Sequence, residues 1–292
     1  MPHPRITLLA GPTASGKSRL ALEWAERRGA VILNADSQQL YGDLRILTAR
    51  PTLADEARAE HRLYGVADAA EAWSVGRWTR AVMAELEQLG GRPALIVGGT
   101  GLYFSALTRG LADIPDVPAS ERDAAASVFD ADGEPALRRR LRDGDPVSEA
   151  AIKPGDRQRL VRALAVLTHT GRPLSRWVAE TRPLLSQGDY DAWVLEPARE
   201  ALYAACDARV EAMVEAGALV EVEGLLRRRL DPELPAMKAV GVREFAEVIR
   251  GTTELTAAVG RVQQATRNYA KRQLTWFRNQ TPDWPRRPIT GN

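Results

Sequence analysis

An α/β fold, in which a parallel sheet is flanked by helices and carries a helical insertion, is predicted by three features of the 292-residue sequence. Short β-rich runs alternate with helical stretches through the first third of the chain. A glycine-rich turn joins the first of these runs to the first helix. A long proline-punctuated stretch then interrupts the alternation before a further apolar run.

The first strand is read at Ile6 to Leu9, the first helix at Ser18 to Arg27 and the second strand at Val31 to Asn34. A helix at Val75 to Leu89 leads into a third strand at Ala94 to Val97. Strands separated by helices pair in parallel, so these are βα units of one sheet. From about Ile114 to Gln187, prolines between Pro115 and Pro183 separate helix-like pieces, which reads as a helical insertion. The run Ala192 to Leu195 adds a strand, and the chain from Arg199 onward reads as helix. The expected organisation is a core begun by residues 1–113, an insertion at 114–187 and a core completed by 188–292.

Composition narrows the functional classes. With 45% hydrophobic and 27% charged residues, the chain has the make-up of a soluble globular protein. The opening Met1-Pro2-His3-Pro4-Arg5 runs straight into Ile6 to Ala10, without a signal-peptide core or the ~20 apolar residues of a membrane span. A cytoplasmic protein with no membrane partner is expected. The single cysteine, Cys206, excludes an internal disulfide and reads as a small core residue; the three histidines, His3, His61 and His169, offer little for a zinc site. A net charge of +2 does not announce a nucleic-acid binder, so the placement of charge matters more. Arginines crowd at Arg138 to Arg142, at Arg157 to Arg162 and near the C-terminus; such runs are usually solvated faces.

The strongest motif follows the first strand. Gly11-Pro12-Thr13-Ala14-Ser15-Gly16-Lys17-Ser18 fits G-x-x-x-x-G-K-[ST] between a strand and a helix, which makes the expected fold P-loop NTPase-like. Glycines let backbone N–H groups curl inward, the helix N-terminus adds partial positive charge, Lys17 adds a full charge and Ser18 offers an oxygen to Mg²⁺. A bound polyphosphate is expected; the loop alone does not say whether it is ATP.

Three further features stand beside the loop. Asp36, in Asn34-Ala35-Asp36-Ser37-Gln38-Gln39, falls at the carboxyl edge of the sheet, either as a cap or metal-ordering group or as a proton acceptor. Gly98-Gly99-Thr100-Gly101-Leu102-Tyr103 ends the third strand, either as a tight turn or as a second backbone close to ligand with the Thr100 hydroxyl facing it. At 100° per residue, Leu202, Cys206, Arg209, Met213, Ala216 and Val220 share one stripe, so Arg209 sits among apolar neighbours and needs an anion, whether a carboxylate or a pyrophosphate. By the same geometry Arg267, Lys271 and Arg278 lie within about 40° on one face, which suits a phosphate backbone.

Together these blocks resemble the tRNA dimethylallyltransferase family, the tRNA isopentenyltransferases. The resemblance runs in order through Gly11 to Ser18, Ala35 to Gln38, Thr48-Ala49-Arg50-Pro51, Gly98 to Tyr103, Asp156 to Leu164 and Ala265 to Arg278. It implies transfer of a dimethylallyl group from dimethylallyl pyrophosphate to N6 of adenosine 37 beside the tRNA anticodon, with release of pyrophosphate. It implies Asp36 as general base, with Thr13, Lys17, Ser18 and Arg209 on pyrophosphate and Mg²⁺. It further implies tRNA contacts from Asp36, Ser37, Gln38, Gln39, Thr100 and the segment Gln158-Arg159-Leu160-Val161-Arg162; the insertion and the basic C-terminal region, with Lys271 and Arg278, would hold the anticodon arm. A monomer is the simpler expectation. The chain departs from the family pattern at Leu47, where glycine is usual, at Arg62, where a second histidine is common, and at Val242, where tyrosine is frequent. Three rivals remain at this point: a small-molecule kinase, which would consume ATP; an enzyme that prenylates free AMP or ADP, which would not need the C-terminal basic side chains; and a non-catalytic RNA-binding protein with a vestigial loop, which would tolerate Asp36→Ala without loss of any reaction.

Overall fold

The computed structural model describes residues 5–288, so the opening stretch with His3 lies outside the described residues. In chain order the elements are β1 (Ile6–Ala10), α1 (Lys17–Arg28), β2 (Val31–Asn34), α2 (Leu53–Arg58), β3 (His61–Arg62), α3 (Val75–Gln88), β4 (Ala94–Gly98) and α4 (Gly101–Thr108). Then come α5 (Ala119–Gly144), α6 (Pro146–Ala151), α7 (Arg157–Thr170) and α8 (Leu174–Ala179). β5 (Tyr190–Leu195), α9 (Arg199–Glu215), α10 (Ala218–Arg227), α11 (Val242–Ile249), α12 (Leu255–Gln280) and β6 (Arg286–Arg287) complete the chain.

The six strands form one sheet in the order β3-β2-β4-β1-β5-β6, and every pairing is parallel. β2 and β4 are buried along their whole length, as strands covered on both faces must be. Alternation assigns their side chains to two cores. Leu8, Leu33 and Ile96 belong to one apolar cluster, whereas Leu9, Ile32, Leu95 and Val97 join Ala21, Leu22 and Ala25 of α1 in the other. The dipeptide strands β3 and β6 carry no alternation to read, and neither was expected; β6 also corrects the expectation that everything after Arg199 is helical.

The chain forms two compact units. One takes the residues up to Thr108 and from Leu185 onward, and the other is Arg109–Leu184, so the divisions fall a few residues before the expected 113/114 and 187/188. The second unit packs α5 to α8 around Leu137, Leu141, Leu160, Ala163 and Val166. Its long helix breaks at Gly133, where φ 79° and ψ 169° leave helical space two residues before Pro135. Buried Asp145 caps α6 by accepting from the Ser148 N–H at 3.0 Å and ties down α8 by accepting from the Ser175 hydroxyl at 2.6 Å.

Several arginines of this unit are held by carboxylates. Arg138 donates to Glu134, to Glu149 and to the Ile152 carbonyl, and Arg157 makes a forked pair with Asp130. Arg142 also pairs with Glu149. No helix among the described residues is long and apolar enough to cross a membrane.

Candidate active site

β1 enters the middle of the sheet, and the chain leaves it for β2 on one side while β5 joins on the other, so ligands are expected outside the carboxyl end of β1. Three loops meet there. The Gly11 N–H donates to the Gly98 carbonyl at 3.2 Å, the Ala35 N–H to the Val97 carbonyl at 2.8 Å and the Thr100 N–H to the Ala35 carbonyl at 3.1 Å. Glycine is required at two of these points: a Cβ on Gly98 would overlap the Ala35 backbone, and one on Gly101 would enter the Trp276 ring. The glycines after β4 thus serve close packing of the loops and α12.

The phosphate loop spans Gly11 to Ser18 between β1 and α1, with Ala14 at φ 60° and Gly16 at φ 77°. A left-handed alanine is strained, which is the price of turning the loop around a central hollow. Ser15 Oγ is buried without a hydrogen-bond partner. Lys17 is only 8% exposed, and its ammonium donates to the Pro12 carbonyl at 3.1 Å. Burial lowers the Lys17 pKa to about 8, against the pull of Asp36 and with the push of Arg209.

Asp36 follows β2 and is 7% exposed. Asn34 fixes its backbone: Oδ1 accepts from the Asp36 N–H at 2.8 Å, and Nδ2 donates to the Asp36 and Leu63 carbonyls, both at 3.0 Å. The Trp78 indole donates to the Asn34 carbonyl and stacks on Tyr103 at 4.1 Å between centroids. Asp36 Oδ1 accepts from the Gln38 N–H at 3.0 Å, a local turn that aims the carboxylate without capping a helix.

Opposite stands Arg209 on α9. Its guanidinium donates to the Thr13 hydroxyl at 3.1 Å, and the Asp36 carboxylate acts on it electrostatically. Burial lowers its pKa, against the pull of Cys206 and Asp36. The stripe drawn through it needs one correction: α9 ends at Glu215, the chain turns at Gly217 (φ 101°), and Val220 is 72% exposed on α10. Leu202 and Cys206 are buried as expected.

Thr13, Asp36 and Arg209 line one pocket together with Leu47, Val210, Met213, Val240 and Val262, so that its lining is part polar and part apolar. Ser18 lies elsewhere: it is exposed and lines a neighbouring groove with Arg19, Arg50 and His61. No group of three or more His, Cys, Asp or Glu side chains among the described residues would hold a metal ion alone. The exposed Ser18 hydroxyl is an oxygen donor of the kind that suits Mg²⁺ arriving with a phosphate ligand and keeping several waters, and Asp36 lines the other pocket.

The remaining expected site residues divide. Thr100 accepts from the Ser37 N–H at 2.9 Å and donates to the Ser37 hydroxyl at 3.2 Å, beside the Asp36 loop. Gln38 accepts from the Val240 N–H at 3.3 Å, and the Gln39 amide is consumed in donating to the Thr48 and Ala49 carbonyls at 2.8 Å each. In the insertion, Gln158, Arg159 and Arg162 are exposed, but Leu160 is fully buried and Val161 half-buried in that unit's core. On α12, Lys271 is exposed, whereas Arg267 pairs with Asp207 and Arg278 with Glu196, so the expected basic face is two-thirds neutralised.

Sequence reasoning missed Gln273. This buried side chain accepts from the Thr13 N–H at 2.8 Å and donates to the Gly99 carbonyl at 2.9 Å, joining the phosphate loop to the β4 loop through α12. A signal existed: Gln273 lies on the buried stripe Val262, Thr266, Ala270, Phe277, the pattern that singled out Arg209. Tyr269, one turn earlier, lines the pocket beside Asp36 and Gln38.

With this geometry in place, comparison with known proteins is informative. The IPP transferase family model matches residues 39–280, and an isopentenyl transferase model matches residues 4–72. The chain is 58% identical over 286 residues to a tRNA dimethylallyltransferase of Phenylobacterium zucineum (strain HLK1), covering 97% of this chain and 92% of that one. It is 53% identical to a tRNA dimethylallyltransferase of Caulobacter sp. (strain K31), covering 98% and 93%. A eukaryotic dimethylallyltransferase solved acting on tRNA superposes with a TM-score of 0.82 at 25% identity, covering 97% of this chain and 73% of that one. The tRNA isopentenylpyrophosphate transferase of Bacillus halodurans gives a TM-score of 0.68 at 28% identity, covering 97% and 89%.

Proposed function

We infer the function of this chain from the premise that it belongs to the IPP transferase family, the tRNA dimethylallyltransferases: it is a prenyltransferase that modifies tRNA. The observation that carries the reading is the mixed lining of one pocket, in which Thr13 of the phosphate loop, Asp36 and Arg209 stand with the apolar Leu47, Val210, Met213, Val240 and Val262. A prenyl pyrophosphate presents both an anionic head and a hydrocarbon tail to such a lining.

In this reading dimethylallyl pyrophosphate places its pyrophosphate against Lys17, Arg209, Thr13, Ser15 and the backbone N–H groups of Gly11 to Ser18. The acceptor is N6 of adenosine 37. Its nitrogen attacks C1 of the dimethylallyl group, the C1–O bond breaks, and the electron pair leaves with pyrophosphate. Asp36 accepts the proton that N6 loses. The cations and backbone donors matter most as charge grows on the leaving oxygen, because they are already oriented in a water-poor site. Mg²⁺ would be held by Ser18 together with the pyrophosphate, and when bound it neutralises part of that charge.

A loop adenine is cheaper to extrude into such a pocket than a paired one, which favours the anticodon stem-loop as substrate. Gln158, Arg159 and Arg162 of the insertion and Lys271 of α12 are the exposed side chains offered to its backbone. Ser37 and Thr100 stand at the Asp36 edge for the flipped base. The enzyme acts as a monomer in the cytoplasm.

The test is incubation with Mg²⁺, labelled dimethylallyl pyrophosphate and unmodified tRNA, with an ATP control. Label is expected at an anticodon-loop adenine with no ATP consumed. Phosphoryl transfer from ATP without prenylation would replace this reading with that of a kinase.

A further inference from the structure

The apolar wall of the pocket includes Leu47, which belongs to no helix or strand, yet the segment that carries it is held as firmly as one. Glu221, half-buried on α10, turns its carboxylate into the bend: Oε1 accepts the N–H groups of Arg45 and Ile46, both at 2.8 Å, and Oε2 accepts that of Leu47 at 2.9 Å. Three backbone donors on one carboxylate make strong, charge-assisted hydrogen bonds that fix the backbone direction at each residue. The far side of the bend is also closed, since Gln39 binds the Thr48 and Ala49 carbonyls and the Thr48 hydroxyl donates to the Leu44 carbonyl.

The Leu47 side chain is pinned as well. It is 5% exposed, and its tip lies so close to Gly241, at φ +97°, that a Cβ there would approach Leu47 Cδ1 to 2.9 Å. It therefore cannot swing back without disturbing the start of α11.

We propose that Leu47 is a specificity-determining residue that limits the length of the prenyl tail, and that Glu221 is a positioning residue that holds Leu47 in place. This rests on the reading that the pocket takes a prenyl pyrophosphate. Glu221 touches neither the loop nor Asp36, so its influence on the donor runs through the 45–48 backbone. A mobile wall would close around several tail lengths; a wall tied by three hydrogen bonds accepts one.

The experiment measures kcat/KM at saturating tRNA for dimethylallyl pyrophosphate and for its homologue with one more methylene at the tail end. Wild type, Leu47→Ala, Glu221→Ala and Glu221→Gln are compared. Wild type is expected to prefer the shorter donor by about tenfold or more, the usual discrimination of a close-fitting apolar pocket against one methylene. Leu47→Ala should erase most of that preference. Glu221→Ala should relax it too and raise KM for the donor while KM for tRNA stays put. Glu221→Gln should fall between, because its amide oxygen still accepts from Arg45 and Ile46 while its NH₂ group faces the Leu47 N–H.

A wild-type preference ratio in Leu47→Ala overturns the proposal, as does a Glu221→Ala effect that falls equally on donor and tRNA. If Glu221→Ala does not fold, the other two variants decide. Failure of the wild type to prenylate tRNA at all would instead remove the reading underneath.

Discussion

Gln273→Met should unlatch the phosphate loop at nearly constant side-chain volume. The change deletes both bonds that join Thr13 to Gly99 through α12. The Gly99 carbonyl is buried, and an unsatisfied buried acceptor costs about 1–3 kcal/mol. The Thr13 N–H is only partly buried and recovers some water, so its loss amounts to about 0.5–1.5 kcal/mol. Together they come to roughly 2–4 kcal/mol, because methionine fills the space and adds little cavity cost. In a chain of this size each kcal/mol moves Tm by about 2–4 °C, so a fall of roughly 5–15 °C is expected in a thermal melt. Equilibrium binding of inorganic pyrophosphate, measured in parallel below the melt, should weaken because the Thr13 hydroxyl that meets Arg209 is no longer fixed. A Tm within about 1 °C of wild type, with unchanged pyrophosphate affinity, would refute the reasoning.

Asp36→Ala should retain tRNA affinity in a gel-shift titration while turnover falls by about 10²–10⁴, the range of a lost general base; undiminished turnover would remove Asp36 from that role. Arg209→Ala should weaken binding of dimethylallyl pyrophosphate by about tenfold or more, as expected for a lost charge-assisted contact, and wild-type affinity in calorimetry would contradict this. For Lys17, kcat/KM for the donor should fall as pH rises through about 8, since the free enzyme loses the ammonium there, and a flat profile to pH 9.5 would count against it. The stability effect has the opposite sense. The folded pKa lies below the unfolded 10.5, so between about 8 and 10.5 the unfolded chain holds the proton more tightly and this group's contribution to stability rises with pH. Comparing urea midpoints of wild type and Lys17→Met across that window checks the sign.

Much of the chemistry was legible in the chain because it depends on local spacing. A glycine-rich turn between a strand and a helix has few conformations open to it, so the turn from Gly11 into α1 could be placed from the sequence without further information. The strands β1, β2 and β4 were equally readable, since a buried parallel strand must be a continuous apolar run. Arg209 stood out because a guanidinium on an apolar stripe demands an explanation, although the stripe was drawn past the true end of α9. The dipeptide strands β3 and β6 fell below what any period can reveal.

What tertiary structure alone decided is which polar groups already have partners. Along the sequence Arg267, Lys271 and Arg278 form one basic face; only folding brings Asp207 and Glu196 to two of them and leaves Lys271 exposed. Gln39 was expected to face tRNA, and folding turns its amide nitrogen to the Thr48 and Ala49 carbonyls. Gln273 and Glu221 act on backbone far from them in the chain, with partners up to 260 and 176 residues away. A motif records the groups that a site requires, because their chemistry and spacing are local. Whether a charge is free, a loop is braced or a wall is closed depends on contacts between distant segments, and those exist only once burial of the apolar faces has brought the segments together.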